Sequence, residues 1–232
     1  PPNKKNAYLR HFMNNYISIR TSTPFGRNPI GNIITNKIPE LISTCSFIDK
    51  DIYQIKGSYG NGNWTYTPWI AIYDKRITTT AQEGVYIVYL FSADMERVYL
   101  TLNQGCTRLI STIGRREAIK TMEEISNKVR ERLDSREFYA NNNLKVGHEF
   151  YEKGTIFYKV YERDSIPEDD QLIDDLSKMI DIYQEYYRYF VDNAKIEIQP
   201  DFDARVDLTE VNDMNVKDEI EYKLLEAKLK QA

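Results

Sequence analysis

Apolar residues recur at three- and four-residue intervals in several segments, a spacing that predicts helices with one buried face. Three such segments are long: 6–20, 112–134 and 167–190. A shorter helix is predicted over 39–47, with Pro39 in its first turn. The clearest stripe, in 112–134, comprises Ala118, Met122, Ile125, Val129 and Leu133.

Five shorter segments show the alternating or continuous apolar pattern that is typical of strands. They are 51–56, 67–73, 85–91, 97–102 and 155–161. Segment 85–91 is almost entirely apolar, which predicts a central strand covered on both faces. The pattern as a whole predicts an α/β (α+β) fold, with a central mixed sheet of about five strands flanked by helices.

The apolar pattern fades after Val191. We therefore expect one folded domain over residues 1–190. Residues 191–232 should form an acidic linker and a short charged helix, 217–231, which leads to a missing or partner effector.

Charge is distributed unevenly along the 232 residues, although the net charge is only −4. Residues 1–150 hold 20 Lys and Arg against 14 Asp and Glu, a net charge of +6, whereas residues 151–232 carry −10. This asymmetry favours a polyanionic partner for the basic part. The small total argues against a purely electrostatic DNA binder.

Other classes of protein are disfavoured by what the sequence lacks. No apolar run approaches the ~18 residues that cross a bilayer, and no signal peptide is visible. Cys45 and Cys106 are too few for a disulfide framework and are expected as core-filling thiols in a reducing compartment. We expect a cytoplasmic protein without membrane contact.

Familiar catalytic motifs are also missing. There is no phosphate-binding Gly-x-x-x-x-Gly-Lys-Ser/Thr loop, no His-Glu-x-x-His and no Gly-x-Ser-x-Gly. The two histidines, His11 and His148, lack ligand-like neighbours and are expected to be structural or surface residues. A loose nuclease-like match of Asp201, Glu226 and Lys228 does not lie on two strands, so we discard it. We expect no catalytic residue, metal or cofactor in this chain.

Acidic residues cluster in the first half of the predicted helix 167–190. We expect them to form a solvated edge that the helix dipole favours. The cluster comprises Asp169, Asp170, Asp174 and Asp175.

Large aromatic residues lie among glycine and asparagine in segment 57–69. Aromatic rings stack on nucleobases, each stack contributing ~1–3 kcal/mol, and glycines let a backbone approach another polymer closely. Such a loop could enter a DNA groove, but composition alone favours a tight Asn-Gly hairpin turn. The candidate rings are Tyr59, Trp64, Tyr66 and Trp69.

Three stretches are more specific: Gly-Asn-Gly-Asn-Trp-Thr-Tyr-Thr-Pro-Trp-Ile-Ala-Ile at 60–72, the segment 77–91, and Val-Tyr-Leu-Thr-Leu-Asn-Gln-Gly at 98–105. Together they closely resemble the N-terminal DNA-binding domain of McrB-type modified-cytosine restriction proteins, and the similarity continues to Phe190. The resemblance implies the recognition arm of a modification-dependent (type IV) restriction system. Such domains bind DNA that carries methylated or hydroxymethylated cytosine and rotate the modified base out of the duplex.

The same resemblance implies a base pocket on the sheet. Trp69 and Tyr86 would be two walls, and Leu90 would limit the size of the 5-substituent. In the best-described type, a tyrosine of the glycine loop fills the gap left by the flipped base, and Asn61 stands at that place here. Tyr59 or Trp64 could take the role, or Asn61 could fill the gap by hydrogen bonding, so the predicted insertion loop comprises Tyr59, Asn61, Asn63 and Trp64.

The expected partner is double-stranded DNA with modified cytosine, together with an effector nuclease or NTPase domain in cis or in trans. We predict phosphate contacts from the basic half of the chain, at Arg27, Lys56, Lys75 and Arg76. Three other functions stay open. These are a self-contained Mg²⁺-dependent nuclease of a defence system, sequence-specific DNA binding without base flipping, and a protein-interaction domain.

Overall fold

A computed structural model describes residues 4–194, which form one five-stranded sheet with helices around it. The strands follow chain order across the sheet, and every neighbouring pair is antiparallel. They are β1 (Tyr53–Gly60), β2 (Trp64–Asp74), β3 (Val85–Phe91), β4 (Arg97–Gln104) and β5 (Phe157–Glu162).

The α+β class and the five strands are confirmed, but the prediction of a mixed sheet is wrong. The connections between β1 and β4 are shorter than the dozen or more residues that a parallel crossover needs. β3 is the central strand and is buried along its whole length, as its apolar run predicts.

Seven α-helices are described within residues 4–194, and the long ones were predicted. The segment predicted as one helix over 112–134 is divided at Gly114, whose φ of 81° ends one helix before the next begins. The helices are α1 (Lys4–Ser22), α2 (Pro29–Asn32), α3 (Ile38–Ser43), α4 (Thr107–Ile113), α5 (Arg115–Arg132), α6 (Glu149–Lys153) and α7 (Asp169–Tyr186). A π-helical turn, Ile33–Lys37, joins α2 to α3, and a second, Tyr187–Asp192, extends α7.

One face of the sheet is covered by α1 and α7. The ring of Phe12 on α1 meets Phe91 of β3 edge-on, with ring centroids 4.9 Å apart. On α7, the Tyr183 hydroxyl donates to the carbonyl of Val85 at 2.7 Å and accepts the backbone N–H of Asp74 at 3.0 Å. These contacts fix both helices on the strands that also carry the candidate site.

A buried polar cluster joins α7 to β5. The Asp175 carboxylate, 1% exposed, accepts hydrogen bonds from Lys159 Nζ at 2.8 Å, Tyr161 Oη at 2.6 Å and Gln171 Nε2 at 2.7 Å. The prediction that Asp175 lies on a solvated edge is therefore wrong. An aspartate on the inner face of α7 is compatible with burial only because three donors satisfy its oxygens.

The opposite face of the sheet is only partly covered. The segment between α5 and β5 crosses it, where Tyr99 Oη donates to the Lys145 carbonyl and the Arg130 guanidinium donates to the carbonyls of Thr155 and Ile156. The end of the sheet near the β1–β2 hairpin stays open on this face, and the candidate site lies there.

The predicted boundary at residue 190 falls inside the second π-helical turn, which continues to Asp192. The predicted charged helix, 217–231, and nearly all of the predicted linker lie outside the described residues. Within residues 4–194, no helix combines the length and the apolar character needed to cross a membrane.

Candidate nucleic-acid interface

A cavity of about 300 Å³ opens on the uncovered face of the sheet. Its floor is built from residues of three adjacent strands: Lys56 and Ser58 of β1, Trp69 of β2 and Tyr86 of β3. Six of the residues predicted from the sequence thus line one concave surface: Lys56, Asn61, Asn63, Trp64, Trp69 and Tyr86. Cavities of this size, with apolar walls and a few polar groups, are typical of small-molecule sites.

Strand register places the predicted pocket residues on one face. Trp69 is the Cα partner of Leu90, and Tyr86 lies four residues from Leu90 along β3, so all three side chains point to the same side. Along the strand direction, the backbone positions of Trp69 and Tyr86 are therefore ~13 Å apart. Trp69 is half-buried, whereas Tyr86 is 5% exposed and donates through Oη to the Ala81 carbonyl at 3.1 Å. Leu90 is buried and does not line the cavity.

One wall of the cavity comes from α6 and the turn before it, which the sequence reasoning missed. His148 and Tyr151 stack with ring centroids 3.7 Å apart, and both rings line the cavity with Phe150. Asn103 Nδ2, on the sheet, donates to the Tyr151 carbonyl at 3.1 Å. His148 was expected to be a structural or surface residue, and its place in the wall of the cavity was not predicted.

A further wall is contributed by the start of α4, where Cys106, Thr107 and Ile110 line the cavity. Gly105 makes this approach possible, because a Cβ on it would lie 2.3 Å from the backbone nitrogen of Glu83. The predicted helix begins only at residue 112. The sequence pattern therefore did not indicate that Cys106, Thr107 and Ile110 would line the same cavity as Trp69 and Tyr86.

The Cys106 thiol offers a chemical probe of the cavity. Burial raises its pKa to about 12, so the neutral thiol dominates at every pH below that value. Because the thiolate is the nucleophile, alkylation of Cys106 by iodoacetamide at pH 8 is expected to be roughly a thousandfold slower than that of a small free thiol. Mass spectrometry of timed samples measures this, with guanidinium-unfolded protein as the control. A rate close to that of the unfolded protein would contradict the burial.

The β1–β2 hairpin forms the edge of the cavity. Its tip is a three-residue loop, Asn61, Gly62 and Asn63, which is exposed throughout and lies between the paired residues Gly60 and Trp64. Gly62 adopts a φ of 73°, the left-handed conformation that such loops require. Both Asn61 and Asn63 line the cavity.

The aromatic residues of the predicted insertion loop lie at its base instead. The Trp64 indole donates to the Thr23 carbonyl at 2.9 Å, and the Tyr59 hydroxyl donates to the Gly26 carbonyl at 2.9 Å. The two rings also contact each other and Phe25, with centroid distances of 5.4 to 5.6 Å. These contacts hold the Tyr59 and Trp64 rings in a cluster at the base of the hairpin. The side chains at the tip itself are therefore those of Asn61 and Asn63.

The four predicted phosphate-binding residues separate into two groups. Lys56 lines the cavity, and Arg27 is exposed in the loop against which Tyr59 packs. Lys75 follows β2 at its far end, ~20 Å from Trp69 along the strand. Arg76, at the same end, pairs with Asp74 at 2.7 Å.

Arg76 is further immobilised by an aromatic contact. Its guanidinium carbon lies 3.6 Å from the ring centroid of Tyr187, and the hydrogen bond to Asp74 raises its pKa. The structure thus places Lys56 at the cavity and Arg27 in a separate depression beside Tyr59, and it leaves Lys75 and Arg76 at the far end of β2.

Among residues 4–194, no group of three or more His, Cys, Asp or Glu side chains is arranged to hold a metal ion. The discarded nuclease-like residues, Asp201, Glu226 and Lys228, lie outside the described part of the chain.

The family model described as MrcB-like, N-terminal domain, matches residues 11–188, which is most of the chain. The matched range contains all five strands and every residue that lines the cavity. No curated protein matches the chain. The resemblance seen in the three sequence stretches is confirmed: the chain belongs to the MrcB-like N-terminal domain family and is a DNA-binding domain of a restriction protein.

Proposed function

We propose that this domain recognises duplex DNA carrying 5-methylcytosine or 5-hydroxymethylcytosine, and that it takes the modified base, rotated out of the helix, into the cavity. The observation that carries the proposal is the cavity itself, in which Trp69 and Tyr86 share a floor beside an exposed hairpin tip. A base that is still paired cannot reach a concave site of this kind, so recognition there requires flipping. Cleavage belongs to a nuclease or NTPase effector, in cis or in trans.

The energetics are consistent with this proposal. Unpairing and unstacking a base costs a few kcal/mol, which stacking on Trp69 can return at ~1–3 kcal/mol. Burial of a 5-methyl group adds about 0.8 kcal/mol. Leu90 on β3 is the cross-strand neighbour of Trp69. We propose that Leu90 fixes the position of the Trp69 indole and thereby limits the size of the 5-substituent that the cavity accepts.

The phosphate backbone would be held by Lys56 at the cavity and by Arg27 beside the hairpin. Neither residue has an ion-pair partner within residues 4–194. Cations without an internal partner are available to displace counterions from DNA.

The hairpin tip would occupy the space that the flipped base leaves. Asn61 has amide donor and acceptor groups that can pair with the edge of the orphaned guanine. We therefore expect Asn61→Ala to weaken binding to a 5-methylcytosine duplex about two- to thirteenfold, the equivalent of one hydrogen bond at ~0.5–1.5 kcal/mol. Fluorescence anisotropy measures the change.

Asn14→Ala is the matched control for the Asn61 variant, because Asn14 is exposed on α1 and does not line the cavity. It should bind like the unaltered domain. Equal affinities of the Asn61→Ala variant and the unaltered domain would remove the tip from the proposed mechanism.

The proposal as a whole is tested by anisotropy with short duplexes at about 150 mM salt. The duplexes share one sequence and carry unmodified cytosine, 5-methylcytosine, 5-hydroxymethylcytosine, N4-methylcytosine or N6-methyladenine. We expect a preference of about tenfold, or ~1.4 kcal/mol, for a 5-modified cytosine. Equal binding to all five would contradict the proposal and indicate recognition of sequence or shape. A plasmid incubated with the domain and Mg²⁺ should stay intact.

A further inference from the structure

An exposed aromatic residue lies on the other side of the same hairpin. Tyr66 is 64% exposed, and the guanidinium carbon of Arg20 lies 4.2 Å from its ring centroid. Because Tyr66 precedes Trp69 by three residues on β2, the two side chains point to opposite faces of the sheet. The hairpin therefore carries the cavity on one face and this Arg20–Tyr66 pair on the other.

The pair is held in place by α1. Arg20 is in the last turn of this helix, and one turn earlier Tyr16 donates through Oη to the Thr65 carbonyl at 2.5 Å. Burial raises the pKa of Tyr16, and the nearby charge of Arg20 opposes that rise. The helix end, the hairpin and the guanidinium thus form one fixed unit.

The guanidinium retains unused hydrogen-bonding capacity. Arg20 has no ion-pair partner in the described part of the chain, and its buried Nε lacks a hydrogen-bond acceptor there. A guanidinium that rests on an aromatic ring still presents its N–H donors at the edge of its plane, and that fork matches the geometry of a phosphate.

We propose that Arg20, oriented by Tyr66, binds the phosphodiester backbone of the DNA strand opposite the one whose base enters the cavity. This inference rests on the proposed function for its choice of strand. When the tip at 61–63 enters the duplex, the strand with the flipped base follows the cavity side of the hairpin. The complementary strand then faces Arg20 and Tyr66.

The test is the salt dependence of binding for Arg20→Gln, measured with modified and unmodified duplexes. Loss of one phosphate contact should reduce the slope of log K against log[salt] by about one and weaken binding equally for both duplexes. Arg20→Lys keeps the charge and should keep the slope. Arg188→Gln is the control and should leave the slope unchanged, because Arg188 lies far from the hairpin. It follows Tyr187, whose ring contacts Arg76 at the opposite end of β2.

Uncharged methylphosphonate linkages identify the strand. Placed in the complementary strand near the modified cytosine, they should weaken binding by the unaltered domain but have little further effect on Arg20→Gln. Placed in the modified strand, they should weaken binding by both proteins. Equal sensitivity of both proteins to both placements would overturn the choice of strand.

A purely structural role for Arg20 is the main competing explanation, since a cation near a helix C-terminus stabilises the helix. In that case Arg20→Gln lowers the melting temperature and leaves the salt slope unchanged, and the proposal fails. The slope on unmodified DNA does not depend on base preference. A lower slope without any preference for modified cytosine would therefore refute the flipping mechanism and retain Arg20 as a backbone contact.

Discussion

Replacing Trp69 with alanine is expected to weaken binding to a 5-methylcytosine duplex by about 5- to 150-fold, the equivalent of one base–aromatic stack at ~1–3 kcal/mol. Affinity for the unmodified duplex should fall much less, because there the phosphate contacts dominate. Trp69 is half-buried and faces the cavity, so its loss should leave the fold intact. Anisotropy titrations with both duplexes measure the two affinities.

Two variants control for the loss of an aromatic ring. Trp69→Phe keeps a smaller stacking surface and should retain an intermediate preference. Tyr139→Ala removes a ring that is 56% exposed and does not line the cavity, so it should change neither affinity. A folded Trp69→Ala protein with undiminished affinity for modified DNA would refute the assignment of the pocket.

Replacing Asp175 with alanine should lower the free energy of unfolding by about 3–5 kcal/mol, far more than replacing the neighbouring Asp174. The substitution removes the acceptor shared by Lys159, Tyr161 and Gln171, and it leaves Lys159 on β5 without its ion-pair partner. Urea unfolding followed by circular dichroism measures the effect.

Asp174 supplies the matched control, because its side chain is 57% exposed and forms an i,i+4 pair with Lys178. Exposed pairs of this kind contribute about 0.3–0.5 kcal/mol, so Asp174→Ala should change stability by no more than that. A loss of less than 1 kcal/mol for Asp175→Ala would mean that the buried cluster does not hold α7 on the sheet.

Local sequence patterns predicted the strands well, because alternation and continuous burial are properties of neighbouring residues. The segment 85–91 coincides with β3, and its apolar run correctly indicated a central strand. The β1–β2 hairpin was also predicted, although its strands extend further into the glycine-rich turn. The antiparallel arrangement could have been inferred from the short connections between β1 and β4.

The walls of the cavity could not be predicted in the same way. Cys106 and Tyr151 are 45 positions apart, and they line the same cavity because α6 is tied to the sheet through Asn103 and α4 follows the close approach of Gly105 to Glu83. No local periodicity encodes that arrangement.

Electrostatic roles were equally dependent on tertiary structure. Arg76 and Lys56 are both cations at the ends of predicted strands, yet Asp74 forms an ion pair with Arg76, whereas Lys56 has no ion pair within residues 4–194. Asp174 and Asp175 are neighbours on α7, but a rotation of 100° along the helix places one in solvent and the other in the core.

Base flipping is tested most directly by mispairing the modified cytosine. A protein that extrudes a base must meet the cost of breaking its pair, and this cost is lowest when the base is already mismatched. We predict that the domain binds a duplex with 5-methylcytosine opposite adenine about tenfold or more tightly than the same duplex with 5-methylcytosine opposite guanine. Equal or weaker binding to the mismatched duplex would show that the base is recognised within the helix, and it would contradict the account.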